Sequence, residues 1–261
     1  MENITSTANP KIKLVRSLRT KKFRDEQGLF LTEGIHHVGA AFEAGWEFDS
    51  VFYDPDHLSS VYGRDLIDAM LKKQVHCYSV TREVFESIAE KENTIGMVAS
   101  VHKKITRLKD LKTQKLVAAM VTPQDPGNVG SLMRTLDSIG GGGLLLIDGG
   151  VDPFHPTLIR ASMGAYFWNP TVSVSFAEMV AWKEEYGYSL IGTSAKGKNM
   201  LQYTIQDKKN IVLFGSEQKG LDPNQISACD ELLSIPMQGH NSSLNISVAA
   251  GIILYKIAGL T

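Results

Sequence analysis

The stretch LVAAMVTPQDPGNVGSLMR, residues 116–134, sets the fold expected for the second half of the chain. Its first residues, Leu116–Val121, are nearly all apolar, which is typical of a strand buried on both faces of a parallel sheet. Pro126 and Gly127 then turn the chain, and residues 129–139 have helical apolar spacing. A strand that leads directly into a helix predicts a βα unit of an open α/β sheet.

The same alternation continues to the end of the chain. The apolar runs 144–147, 189–192 and 211–214 are predicted strands, and the first of them follows the glycines 140–143. A strongly apolar helix is predicted over 244–258. Short buried strands alternating with helices predict a largely parallel sheet with helices on both faces.

The first half of the chain has its own pattern of short predicted helices and strands, which predicts a smaller α/β domain. Helices are expected over 11–18, 35–44, 63–73 and 81–89, and strands over 50–53, 75–80 and 95–101. The polar and charged run 103–115 predicts the boundary. We therefore expect a first domain over 1–104, a linker over 105–115 and a second domain over 116–261.

Composition narrows the class of protein. Hydrophobic residues make up 43% and charged residues 21% of 261 residues, enough for a real core. No apolar run reaches the roughly 18 residues of a membrane span, and the polar N-terminus lacks the apolar region of a signal peptide. Cys77 and Cys229 are far apart, and the seven histidines show no ligand spacing, so we expect no metal. A reduced, cytoplasmic protein is expected.

Positive charge is concentrated near the N-terminus, although the net charge of the chain is −1. The basic residues there are Lys11, Lys13, Arg16, Arg19, Lys21, Lys22 and Arg24. Up to that point the chain has one acid, Glu2. Such a stretch is suited to neutralising RNA phosphates, but charge alone leaves the alternative of a solvated helix face open.

Three loops rich in Gly, Asn, Ser and charge, over 122–134, 214–221 and 234–245, follow apolar strands. Ligands of open α/β sheets collect at such strand ends. In the first loop, Asn128 lies near a helix start, where free N–H groups favour an anion. Arg134 follows on the helix, and an ordinary turn with a surface arginine is the alternative.

The other two loops each place polar side chains at the same edge. Glu217 stands between two glycines, and a solvent-facing glutamate is the alternative there. In the third loop, Ser242 or Ser243 is a candidate helix cap. Capping by a serine does not account for Asn245, which, if buried in the first turn, needs polar partners.

The motifs DPGNVGSLMRT (125–135), RASMGA (160–165), LFGSEQKGL (213–221) and IPMQGHNSSLNISVAAGI (235–252) resemble those of SpoU/TrmH-type RNA ribose methyltransferases of the SPOUT superfamily. The first half resembles the substrate-binding domain often fused ahead of these enzymes, through NPKIKLVRSL, FRDEQGLFLTEG and IGMVASV. The resemblance implies an α/β domain with a deep trefoil knot, preceded by a small L30e-like α/β domain. It also implies a homodimer formed through the C-terminal domain.

The resemblance further implies transfer of a methyl group from S-adenosylmethionine to a ribose 2′-hydroxyl in structured RNA. The residues it implies in catalysis are Arg134, Asn128, Glu217, Ser243 and Asn245. Those it implies in cofactor binding are Thr193, Gly215, Ile235 and Leu244. Two positions depart from the family pattern, since Leu136 replaces a small residue and the glycine run 140–143 is longer than usual.

Other functions stay open at this point. The extra N-terminal domain and the basic stretch favour ribosomal RNA over transfer RNA as the substrate. A non-catalytic RNA-binding protein, for example a ribosome-assembly factor, is an alternative, although the polar motif residues are intact. A nicotinamide-dependent enzyme is a further alternative because Asp148 ends the next strand, where a ribose-binding acid falls. The glycine pattern, however, is GxxG rather than GxGxxG.

Overall fold

The computed structural model describes residues 2–90, 96–241 and 243–260. Its strands are β1 (Asn3–Ile4), β2 (Leu29–Glu33), β3 (Phe48–Tyr53), β4 (Cys77–Val80), β5 (Met97–His102), β6 (Leu116–Val121), β7 (Gly143–Ile147), β8 (Thr171–Val174), β9 (Ser189–Asn199), β10 (Asn210–Phe214) and β11 (Glu231–Ser234). Its α-helices are α1 (Pro10–Ser17), α2 (Lys21–Gln27), α3 (Ile35–Glu43), α4 (Val61–Lys72), α5 (Arg82–Ile88), α6 (Pro126–Ser138), α7 (Pro156–Ala161), α8 (Phe176–Tyr186), α9 (Pro223–Ala228) and α10 (Ile246–Ile257).

The chain folds into two compact units. The first unit comprises Met1–Lys104 and Phe154–Phe167, and the second comprises Ile105–Pro153 and Trp168–Thr261.

The first unit is built on a sheet of order β1-β4-β3-β5-β2. Strand β5 runs antiparallel to both of its neighbours, whereas the other pairs are parallel. The four helices expected in this half are confirmed as α1, α3, α4 and α5, and Thr81 caps α5 by accepting from the N–H of Val84. Strand β5 begins at Met97, and the predicted start at residue 95 lies outside the described residues. The unpredicted elements α2, β1 and β2 are all short.

An aromatic cluster joins Phe154–Phe167 to the rest of the first unit. The Phe30 ring lies 5.2 Å from that of Phe154, 6.1 Å from that of Tyr166 and 5.6 Å from that of Trp46, centroid to centroid. The indole of Trp46 also donates a hydrogen bond to the carbonyl of Phe167. This segment therefore packs with the first unit, although the sequence places it inside the second domain.

The second unit is built on a six-stranded sheet of order β11-β9-β10-β6-β7-β8. Every one of these neighbouring pairs is parallel, which confirms the parallel sheet expected from the apolar strands. The two strands that the sequence did not reveal, β8 and β11, lie at the sheet edges and are only partly buried. Strand order reverses between β6 and β10, so their carboxyl ends form a topological switch point, where ligands bind in such sheets.

The charged run before β6 is part of the second unit rather than a free linker. Leu111 is fully buried in the core of that unit, together with Val117, Leu145 and Trp182. The hydroxyl of Tyr188 donates to the backbone carbonyl of Leu111 at 2.9 Å. These contacts differ from the linker expected over 105–115, because Leu111 and the partly buried Leu108 anchor an otherwise polar segment.

Within the part of the chain that the structure describes, no helix is both long and apolar enough to cross a membrane.

Candidate active site

The loop between β6 and α6 ends in a well-defined helix start. Asp125 is the N-cap, and its carboxylate accepts the N–H of Gly127 at 2.8 Å. Pro126 occupies the first helical position, where its missing N–H costs nothing. Asn128 consequently lies in the first turn of α6, half-buried. Thr122, just after β6, has a φ of 40°, a left-handed conformation that strains a β-branched residue.

Asn245 is the N-cap of α10, and this corrects the expected serine cap. Its Oδ1 accepts the N–H of Ser247 at 2.8 Å. Because Asn245 directly precedes Ile246, the first residue of α10, it occupies the N-cap position, and Ser243 lies two residues before it. Asn245 is exposed rather than buried. Ser243 precedes the helix, and Ser242 lies outside the described residues.

The two asparagines meet across the two helices. The Nδ2 of Asn245 donates to the Oδ1 of Asn128 at 3.1 Å. Further along, the hydroxyl of Tyr255 donates to the Oγ of Ser138, also at 3.1 Å. Helices α6 and α10 are therefore parallel neighbours, and their positive N-terminal ends lie side by side. This end of the second unit is suited to binding an anionic group.

A cavity opens where β9 leaves the sheet. On β11, Leu232 pairs with Gly192 but the next residue, Leu233, pairs with Lys198. Residues 193–197 therefore bulge away from β11. The bulge borders a cavity of about 200 Å³. The cavity is lined by Thr193, Ser194, Ala195, Leu233, Ser234, Ile235, Met237, Ser243, Leu244, Ala249 and Ile253.

Three of the four residues predicted to bind the cofactor, Thr193, Ile235 and Leu244, line this cavity, and so does Ser243 from the predicted catalytic set. The fourth, Gly215, does not line it. A Cβ on Gly215 would lie 2.3 Å from the carbonyl carbon of Gly220, so the closed turn after β10 requires glycine there. The structure thus gives Gly215 a conformational role.

Arg134 and Glu217 are exposed, and the structure does not bring them into contact with the asparagine pair. Arg134 lies six residues after Asn128 on α6, about 9 Å along the helix axis. Among residues 2–90, 96–241 and 243–260, no side chain or carbonyl pairs with either charged group. Both groups are therefore available to a ligand, and their catalytic roles stay predictions.

Asp148 has a structural partner, which weakens the nicotinamide alternative. Its Oδ1 accepts the N–H of Phe176 at 2.9 Å, at the start of α8. Its own N–H donates to the carbonyl of Val174. The Asp148 carboxylate therefore bonds the start of α8, which accounts for its position without a ribose.

The described residues contain no cluster of three or more His, Cys, Asp or Glu side chains arranged to hold a metal ion. Burial raises the pKa of the Cys77 thiol and of the Cys229 thiol to about 11 each. Both thiols are therefore protonated at neutral pH and poor nucleophiles.

The profile of the SpoU rRNA Methylase family matches residues 115–255, more than half of the chain. The chain belongs to this family. A second profile, the MRM3-like substrate binding domain, matches residues 9–99. Both matches agree with the resemblance carried by the sequence motifs.

Relatives of this SpoU family member match over its whole length. The 23S rRNA (guanosine(2553)-2′-O)-methyltransferase RlmP of Bacillus subtilis is 29% identical, over 99% of this chain and 100% of its own. The 23S rRNA (uridine(2479)-2′-O)-methyltransferase of Streptomyces viridochromogenes is also 29% identical, over 92% of this chain and 85% of its own. The crystal structure of the AdoMet-bound rRNA methyltransferase from Sinorhizobium meliloti has a TM-score of 0.89 and 27% identity, covering 98% of this chain and 97% of the other.

Packing explains Leu136 and part of the glycine run 140–143, the two departures from the SpoU pattern. Leu136 is fully buried, so a large apolar side chain suits its position on α6. A Cβ at Gly142 would lie 2.5 Å from the carbonyl oxygen of Leu116, so that position requires glycine. A Cβ at Gly140 meets nothing within 4 Å, so packing does not explain the start of the glycine run.

The basic stretch of the substrate-binding half is only partly available to RNA. Arg24 is 1% exposed, and its guanidinium donates to the carbonyls of Leu18 and Arg19. Arg24 was predicted to bind RNA, but its buried guanidinium is bonded inside the first unit and is not available to RNA. The exposed members are Lys13, Arg19, Lys21 and Lys22, whereas Lys11 and Arg16 are partly buried. Salt bridges to neighbouring acids engage Lys21 and Lys22.

The cavity also contains residues that the sequence did not single out. Ser194 and Ala195 come from the bulge of β9, and Met237, Ala249 and Ile253 from the third motif and α10. Met237 and Ala249 lie inside the motif 235–252 and Ile253 follows it, so the motif could have indicated all three residues. The bulge itself had no local sequence signal.

Proposed function

We propose that this protein transfers the methyl group of S-adenosylmethionine to a ribose 2′-hydroxyl in structured RNA, with ribosomal RNA favoured over transfer RNA. The observation that carries the proposal is the cavity at the carboxyl edge of the second sheet. It is lined by Ile235, Ser243 and Leu244, and Leu244 directly precedes Asn245, which pairs with Asn128. Two relatives that span nearly the whole chain are named 23S rRNA 2′-O-methyltransferases.

The cavity fits an adenosine group. Ile235, Met237 and Leu244 supply apolar surface, and Met237 and Leu244 are exposed in the free protein. Residues 193–195 have no ladder partner on β11 and line the cavity, so their backbone groups are placed to bond ring nitrogens. The volume of about 200 Å³ is below the roughly 300–1,000 Å³ of pockets for whole drug-sized ligands, so the remainder of the cofactor would extend beyond it. S-adenosylmethionine supplies a methyl group on a positive sulfur.

Activation of the ribose hydroxyl is the chemical difficulty, because that group does not ionise at neutral pH. An arginine guanidinium stays protonated in proteins and is a poor proton acceptor, so we do not assign Arg134 as the base. We assign it instead to the phosphate next to the target ribose and to the negative charge that develops on the attacking oxygen. Its exposure and lack of an internal partner support this role.

The asparagine pair positions the ribose. Because Asn245 donates its Nδ2 to the Oδ1 of Asn128, the Nδ2 of Asn128 remains to donate to a ribose oxygen. Asn245 is in turn fixed by Ser247, whose N–H and hydroxyl both donate to its Oδ1. Glu217 and Ser243 complete the proposed catalytic set at the same edge.

The test is transfer of labelled methyl from S-adenosylmethionine to total RNA from cells that lack the protein, followed by fractionation and nucleoside analysis. We expect label as a 2′-O-methylnucleoside in ribosomal RNA. Arg134→Ala is expected to lower turnover at least ~10²-fold, the low end for a lost catalytic group, whereas Arg107→Ala, at an exposed arginine of the same unit, leaves it unchanged. Cofactor binding without transfer to any RNA fraction contradicts the proposal.

A homodimer is also part of the proposal. Val248 and Ile252 are 51% and 39% exposed, and their four-residue spacing places them on one face of α10. Leu244, 37% exposed, directly precedes the N-cap of that helix. A second copy of this chain is proposed to cover this apolar stripe. Light scattering should show a dimer, and Val248→Asp should dissociate it. A monomeric native protein contradicts this proposal.

The remaining parts of the proposal follow from the substrate. We assign RNA binding to residues 1–104 and methyl transfer to residues 116–261. The trefoil knot implied by the resemblance stays a prediction. Because ribosomal RNA is the proposed substrate, the cytoplasm is the proposed compartment.

A further inference from the structure

A second and larger cavity lies at the amino ends of β6 and β10. Its volume is about 630 Å³, and Leu116 and Asn210, the first residues of the two strands, both line it. The cofactor cavity lies at the opposite edge of the same sheet. A strand of six residues spans roughly 17 Å, so the two cavities are separate sites within the second unit.

The glycine run after α6 borders this cavity. Gly140 and Gly141 line it, with φ values of 99° and 86°. The apolar walls come from Ile139, Ile205 and Ile257. These left-handed conformations favour glycine at both positions. The run borders an open space large enough for a nucleotide.

The rim of the cavity is basic. Lys115 and Lys208 line it and are exposed, against one acidic lining residue, Asp207. Lys112 and Lys209 are close in sequence to these two lysines. The whole chain has a net charge of −1, so this excess of lysine is local. Lysines around a polar and apolar cavity are suited to a phosphate-bearing ring compound.

We propose that this cavity binds one nucleotide of a single-stranded segment of the RNA substrate, away from the methylated nucleotide. The base packs among the isoleucines. Its flanking phosphates bind Lys115 and Lys208. The inference rests on the proposed function in taking RNA as the substrate, and it adds a contact that the catalytic edge does not supply.

The test measures RNA binding by the full-length protein. The probe is a fluorescein-labelled, single-stranded RNA of mixed sequence and about 12 nucleotides, within the site sizes known for single-strand binding. Anisotropy titrations are run between ~50 and ~200 mM salt. For the double variant Lys115→Glu/Lys208→Glu we expect at least ~10-fold weaker binding and a salt slope reduced by about two, one for each lost phosphate contact.

One further variant separates the cavity from its rim. Ile205→Trp adds bulk at an exposed lining residue. It is expected to weaken binding several-fold without changing the salt slope, because it does not alter charge. Thermal unfolding checks that each variant is folded. Lys109→Glu, at an exposed lysine of the second unit that does not line the cavity, is the control for charge reversal and should bind as the wild type does.

The two proposals fail in distinguishable ways. If the wild type methylates RNA and the double variant keeps its affinity, its salt slope and its KM for RNA, the cavity proposal is overturned and the proposed function stands. If the wild type binds RNA through this cavity but methylates none, the cavity proposal stands and the proposed function is overturned. A wild type that does not bind the single-stranded probe also overturns the cavity proposal.

Discussion

Asn245 combines two roles that a pair of substitutions can separate. Its Oδ1 caps α10 through Ser247, and its Nδ2 orients Asn128. Asn245→Ala removes both contacts. Loss of the cap costs about 1 kcal/mol, and loss of an exposed hydrogen bond about 0.5 kcal/mol more. For a protein of this size, we expect the melting temperature to fall by roughly 3–6 °C.

Asn245→Ser isolates the second role. Serine caps helices about as well as asparagine, so the melting temperature should stay within about 1–2 °C of the wild type. A serine hydroxyl is too short to replace the contact with Asn128, so that amide loses its fixed orientation. We expect turnover to fall at least ~10-fold, as for a misplaced positioning group, and the KM for S-adenosylmethionine to change little.

The assay pairs thermal unfolding with methyl transfer at saturating RNA and cofactor. Asn199→Ser is the matched control, because Asn199 caps another helical turn through the N–H of Leu201 and belongs to no proposed catalytic set. Full turnover by Asn245→Ser would refute the positioning role. An unchanged melting temperature for Asn245→Ala would refute the capping argument.

Three further predictions concern stability. Gly215→Ala should lower the free energy of unfolding by about 1–3 kcal/mol through overpacking, whereas Gly239→Ala, where a Cβ meets open space, should change it by less than about 0.5 kcal/mol in denaturant titrations. Phe30→Ala should cost about 3–5 kcal/mol, because that ring is fully buried in the aromatic cluster of the first unit, and a cost below about 1 kcal/mol would contradict the packing described. The salt bridge from Lys103 lowers the pKa of Asp25 from the usual 3.8 to about 2. The stability it contributes is therefore present above about pH 4 and lost as pH falls towards about 2, and Asp25→Asn should remove this part of the acid unfolding curve.

Much of the architecture was predictable from local patterns. Leu116–Val121 forms a strand with the boundaries its apolar run predicts, and α5 begins within one residue of its predicted start. Thr193, Ile235, Ser243 and Leu244, which the resemblance assigns to the site, line one cavity, and their roles stay predictions. Such features depend on residues near one another in sequence, or on the rule that parallel strands end at a common edge.

Other features depend on contacts between distant residues, and the sequence alone did not reveal them. Asn245 pairs with Asn128 across the two helices, and Phe30 draws Phe154 into the first unit. Arg24 looked like one more surface charge, but it is buried because two backbone carbonyls satisfy its guanidinium. Periodicity and composition describe which residues favour burial or exposure. The tertiary structure decides which partner each polar group finds, because that partner comes from elsewhere in the chain.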